Sequence, residues 1–209
     1  MAHVKKKHYA VIVVAVLVVA AASVYAYQNY FQKRPTPAPV PFHEHVNFAL
    51  FINGTQFNFN QSKYMTTEEQ EVGLRADVHM HDMNGGVIHL HAPGITLGMF
   101  FESLGMSINS SCLTLDNGKS YCDSGENTDT LKLYVNGVQS SAFGSLQLHD
   151  LDRILVTFGS DPQQSILNQI NSVPTDACIY SEKCPAPPGF VNNESASCVG
   201  GQATVCSAE

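Results

Sequence analysis

Four of the nine histidines fall within thirteen residues, as His79-Met-His81 and His89-Leu-His91, on either side of the turn-forming run Asn84-Gly85-Gly86. A third pair, His43-Glu44-His45, repeats the His-x-His spacing upstream. Imidazole nitrogens suit zinc, copper and nickel, whereas calcium and magnesium prefer oxygen. All six rings are therefore candidate metal ligands, with Asp82 and Glu44 as possible further ligands or as partners that orient the imidazoles. Copper or zinc is the expected cofactor, copper being favoured. The bland alternative is a set of half-buried aromatic rings satisfied by backbone carbonyls, or a cluster that charges at low pH. Three pairs within fifty residues favour the metal. His149 stands alone in LHDLDR and reads as structural, and His3 and His8 have no assigned role. Of the methionines, Met80 alternates with its histidine neighbours and faces away, Met99 and Met106 belong to an apolar helix, and only Met83 could reach the site.

Strands must carry these rings, because side chains at i and i+2 share a face of a strand. His79 and His81 are then co-facial, as are His89 and His91, and the parity of the intervening turn decides whether the two pairs meet. A three-residue loop at Asn84-Gly85-Gly86 predicts that His81 opposes His89 and His79 opposes His91. A two- or four-residue loop would put the pairs on opposite faces. The same reading of Asp116-Asn117-Gly118 brings Cys112 opposite Cys122, with Cβ atoms about 4.5 to 5.5 Å apart.

Around the histidines the chain reads as α+β. HEHVNFALFI is a strand, Asn53-Gly54 a hairpin turn, TQFNFN its return strand, and Met65 to Arg75 a loop or short helix. The stretch from Ile95 to Met106 is a helix with Thr96 as N-cap, Leu97, Phe100, Phe101 and Leu104 on one face, and Gly105 at its end. LTLDNGKSYC is a further hairpin, LKLYVNG and RILVTFG are strands, and FALFINGTQ resembles LKLYVNGVQ closely enough to hint at an internal repeat. Asp161-Pro162 caps a helix carrying Ile166, Leu167, Ile170 and Val173. The expected fold is a mixed β-sheet with one packed helix, β-grasp-like in topology, and a disulfide-stabilised C-terminal extension.

Residues 1–34 hold the cytoplasmic N-terminus and a charge-free apolar run from Tyr9 to Tyr27, about 28 Å long as a helix and so long enough to cross a bilayer core. Ala20-Ala21-Ala22 offers a signal-peptidase alternative, but the length of the run and the aromatic Tyr25, Tyr27, Tyr30 and Phe31 favour an uncleaved single-pass anchor. Residues 35–42 form a Pro-rich spacer. Residues 43–160 form the β-rich domain, and residues 161–209 a helix and a Cys-rich tail. Lys5, Lys6 and Lys7 precede the span and only Lys33 and Arg34 follow it, which places the C-terminal domain outside the cell membrane. All six cysteines, Cys112, Cys122, Cys178, Cys184, Cys198 and Cys206, follow the anchor, as disulfides in an oxidising compartment would. The sequons at Asn53, Asn60, Asn109 and Asn193 are glycosylation candidates on an exported chain. The formal net charge is -7, and beyond residue 34 six Lys and Arg face eighteen Asp and Glu. Such a surface repels nucleic acid, which is excluded as a partner. The expected partners are the cell membrane, through the N-terminal helix, and a larger membrane complex.

Rival chemistries leave specific gaps. Cupins follow their His-x-His with a glutamate and a later histidine motif, but Asp82 follows at once here and the second motif is missing. Blue-copper centres need a cysteine thiolate. Thiol-disulfide catalysts present Cys-x-x-Cys, whereas the local cysteine spacings leave nine, five and seven residues between partners. The pairing of the last four cysteines stays open among three connectivities.

The combination HEHVNFALFING, HMHDMNGGVIHLHAPGITLGMFFESLGM, LKLYVNG, LDRILVTFG and ACIYSEKCP resembles a group of membrane-anchored, exported His-x-His and Cys-rich proteins of archaea and some bacteria. The resemblance spans most of residues 42–185. Some members are labelled protein-disulfide isomerase, so the resemblance implies a redox catalyst using Cys178 and Cys184 as the alternative to a metal-binding protein. A non-metal interaction module of the cell envelope is the third expectation. Hydrolytic or oxidative chemistry would need an open coordination position, and four to six imidazoles could equally saturate an ion.

Overall fold

The computed structural model describes residues 15–29, 42–123 and 129–190. It divides into two units, Met1–Ala38 and Pro39–Glu209. In the first, residues 15–29 form helix α1, whose Val16, Leu17, Val18 and Val19 are all exposed. Among the described residues no helix is long and apolar enough to cross a membrane. The first part of the apolar run from Tyr9, the spacer up to residue 41, His3, His8, Cys198, Cys206 and Asn193 lie outside the described residues.

The second unit is a mixed α+β domain. In chain order it holds β1 (Glu44–Ile52), β2 (Thr55–Gln56), α2 (Leu74–Asp77), β3 (Val78–His79), β4 (Val87–Leu90) and α3 (Leu97–Ser103). There follow β5 (Ser107–Ile108), β6 (Cys112–Thr114), β7 (Ser120–Cys122), β8 (Thr130–Val135), β9 (Val138–Ser140), β10 (Arg153–Gly159), α4 (Gln163–Ser172) and α5 (Ala177–Tyr180). Seven strands make the main sheet in the order β3-β4-β1-β10-β8-β9, with β2 also paired to β1. β1 runs parallel to β10 and antiparallel to β4. A smaller sheet has the order β5-β6-β7.

β1 is buried along seven consecutive residues because both faces of the sheet are covered there. Val46, Phe48 and Leu50 point into the main core with Ile88, Leu90, Ile154 and Val156, beneath Phe100 and Phe101 of α3. On the opposite face Ala49, Phe51, Leu155 and Val173 form a small second core with Tyr134 and Ile170. His43, His45 and Asn47 continue that second face toward the β3-β4 end of the sheet.

Local chemistry explains the segments that match expectation. Asn53 and Gly54 (φ 51° and 75°) and Asn136 and Gly137 (φ 53° and 81°) each supply the two left-handed residues of a tight hairpin, so the two similar segments fold alike. The Thr96 hydroxyl accepts from the Met99 amide at 3.3 Å, and Gly105 (φ 72°) ends α3 with Gly105 N–H to Glu102 O and Met106 N–H to Phe101 O. That C-terminal turn ends α3 at Ser103, shorter than the predicted helix from Ile95 to Met106, and sends Met106 toward β5. Cys112 opposes Cys122 and is bonded to it across the three-residue loop with Gly118 left-handed, as predicted.

Three expectations need correction. TQFNFN is a strand only at Thr55–Gln56, with one further bond from the Phe57 amide to Leu50 O, because beyond that point the Phe48 amide donates to Gly86 O and the β4 hairpin occupies the β1 edge. Phe57 and Phe59 turn inward instead, their rings 4.7 Å apart. Asp161 does not cap α4: Pro162 is the N-cap, and the Asp161 carboxylate accepts from Gln169 Nε2 at 3.0 Å.

The third correction concerns the histidine hairpin. β3 pairs β4 with His79 opposite His89, not His91, and His81 lies beyond the ladder. The bend begins earlier than the glycines: Asp82 and Met83 are both left-handed (φ 55° and 57°), and the Asn84 amide donates to His81 O. Gly85 and Gly86 serve packing instead. A Cβ on Gly85 would stand 2.4 Å from Phe59 Cβ and 2.7 Å from the Phe59 carbonyl carbon. Gly85→Ala is therefore expected to destabilise the domain by about 1–3 kcal/mol through overpacking against backbone, measured by denaturant unfolding.

Candidate metal centre

The corrected register differs from the expected one by two residues, so it leaves every histidine on the same side of the sheet. The β1–β4 ladder sets His45 opposite His89, and the β3–β4 ladder sets His79 opposite His89. His89 thus has a histidine neighbour on both flanks. His89 lies 4.8 Å from His45 and 3.9 Å from His81 between ring centres. His91, just beyond the end of β4, lies 4.6 Å from His43 and 4.9 Å from His79. All six predicted imidazoles are brought together, and His45, His79, His89 and His91 are buried.

His43, His45 and His89 could hold a metal ion, with one ligand atom from each ring lying within 4.8 Å of the other two. The residues around the cluster then fix how several rings are oriented. His45 Nδ1 lies 2.7 Å from Ser181 Oγ, and Ser181 donates its single hydroxyl proton to Asp150 Oδ1 at 2.6 Å. The hydroxyl therefore accepts from His45 Nδ1–H, which makes Nε2 the nitrogen of that ring that could coordinate an ion. His79 Nδ1 donates to the Arg75 carbonyl at 2.7 Å, and His81 Nδ1 faces Asp82 Oδ2 at 3.0 Å. Three rings thus have Nδ1 anchored to an oxygen, the outer arrangement by which proteins fix the tautomer and raise the basicity of a metal-binding histidine.

Asp150 is the hub of this support. It accepts from the His45 amide at 3.0 Å, from Ser181 and from Lys183. Burial pushes its carboxyl up, but the hydrogen bonds from Lys183, Ser181 and the His45 amide outweigh that and hold it below the usual carboxylate value. The same pair raises the Lys183 ammonium. The remaining cover comes from Tyr180, whose ring lies 5.3 Å from His89 and 5.6 Å from His45, and whose hydroxyl accepts from Asn84 Nδ2 at 3.0 Å. The disulfide Cys178–Cys184 closes the segment that presents Tyr180, Ser181 and Lys183 over the rings. Among the described residues no cysteine is left as a thiol.

Asp82 stands beside His81 as a partner, while the Glu44 carboxylate accepts from the Asp150 amide at 3.1 Å. Met83 is exposed on the turn, Met80 is in the core, and His149 is held apart on the surface near Asp152. Of the sequons, Asn53, Asn60 and Asn109 are exposed. Sequence reasoning missed Asp150, Tyr180, Ser181 and Lys183, and also Glu71, whose Oε1 lies 3.8 Å from His79 Nε2. The only signal was indirect, since three of them sit inside the short Cys178–Cys184 span. Ser181→Ala is expected to weaken metal binding about 10- to 100-fold with the fold intact, measured by competition with a chromophoric chelator.

No protein-family model, curated protein or solved structure matches the chain, so the centre rests on its own geometry.

Proposed function

We propose that this chain is a membrane-anchored, extracytoplasmic metal-binding protein, taking copper or zinc with copper favoured, and serving a larger membrane complex as an accessory subunit or metal carrier. The observation that carries the reading is the convergence of His43, His45 and His89 donor atoms within 4.8 Å. The Nδ1 atoms of His45, His79 and His81, each held by an oxygen, fit this reading, since metal-binding histidines are oriented in that way. Soft and borderline cations suit an all-nitrogen set. Two disulfides support an oxidising compartment. The apolar run from Tyr9 to Tyr27, whose Val16, Leu17, Val18 and Val19 are exposed on α1, supports the anchor. The order β2-β1-β10-β8-β9, with α3 between the first and last hairpins, supports a β-grasp-like topology carrying the histidine hairpin as an insertion. The exported His-x-His proteins that the sequence resembles are the group to which this reading assigns it.

The test is titration of the chelator-stripped full chain in detergent with Cu(II) and Zn(II) against competing chelators. Binding tighter than that of a polyhistidine surface, lost when His81→Ala and His89→Ala are combined, is the expected result. Binding unchanged in that double variant overturns it. Insulin reduction that disappears in Cys178→Ser would instead favour the thiol-disulfide reading.

A further inference from the structure

Six imidazoles exceed what one ion needs, since zinc takes four ligands and copper sites use few more. The rings also fall into two sets by strand. β1 gives His45 and the residue just before that strand is His43, their rings 4.5 Å apart, and with His89 these form the compact group described above. On the far side of β4, His79 and His81 are 5.5 Å apart, and the carboxylate of Glu71 reaches within 3.8 Å of His79 Nε2. Neighbouring strands lie about 4.8 Å apart, so β1 and β3 stand roughly 10 Å from each other across β4. His89 of β4 and His91 just after it bridge that gap: His91 is stacked between His43 and His79 at interplanar angles of 26° and 24°, and His89 lies between His45 and His81.

Resting on the metal-binding reading, we infer that the cluster is a two-cation site. One position is formed by His43, His45 and His89. The second is formed on the β3 side by His79, His81 and Glu71, with His91 stacked between the two. The positions differ in chemistry, the first being all nitrogen and the second including a carboxylate, so a borderline divalent cation such as zinc suits both.

Equilibrium dialysis of the stripped full chain against Zn(II), with elemental analysis, is expected to give two equivalents per chain. His79→Ala with His81→Ala is expected to retain one equivalent, and so is His43→Ala with His45→Ala. Glu71→Gln, a change at a partly exposed position that leaves the imidazoles in place, is expected to weaken only the second equivalent, by at least tenfold. A single equivalent on the unaltered chain, or two equal equivalents insensitive to Glu71→Gln, overturns the two-cation inference and leaves the metal-binding reading standing. No bound zinc or copper on the unaltered chain removes both.

Discussion

His89→Ala is expected to lower metal affinity by more than about 100-fold, because outer partners of a ligand alone are worth about 10- to 100-fold and His89 is itself in the group that could hold the ion. The residue is fully buried and is the cross-strand partner of both His45 and His79, so its removal takes a donor from the middle of the array, not from its rim. Competition titration reads the loss, and circular dichroism of the unliganded chain checks that the sheet persists. Acidification gives an independent measure. Imidazole ligates only when neutral, so the affinity of the unaltered chain is expected to fall on acidification. Affinity that is indifferent to His89→Ala, or to acidification, contradicts the centre.

Phe100→Ala costs about 3–5 kcal/mol of folding stability and leaves the intrinsic metal affinity of the folded chain unchanged. Phe100 has no solvent exposure, and its ring lies 5.2 Å from Phe48 and 5.6 Å from Phe101, on the side of the sheet away from the histidines. Denaturant unfolding without metal measures the first quantity, and titration below the unfolding midpoint measures the second. A loss under 1 kcal/mol would mean that α3 repacks, and a loss of affinity would mean that the two faces of the sheet are coupled.

The sequence carried local information well. The Asn-Gly turns, the Thr96 cap, the left-handed Gly105 and the Cys112–Cys122 pairing each depend on a few neighbouring residues, and each is found. The shared face of the histidines was legible for a subtler reason: only the parity of the turn matters, and an error of two residues in register preserves it. The register itself was not legible, because the packing of Gly85 against Phe59 and of Gly86 against Pro174 is tertiary. Nor was the support of the site. His45 is held by Asp150 and Ser181, which lie 105 and 136 residues further along the chain, and no local pattern joins them.

The covering segment Tyr180–Lys183 belongs to the last part of the fold, whereas every imidazole it shields is complete by residue 91. In a chain made amino end first, the segment that covers the imidazoles is therefore the last part of their surroundings to be synthesised, and the Cys178–Cys184 bond that closes it needs an oxidant.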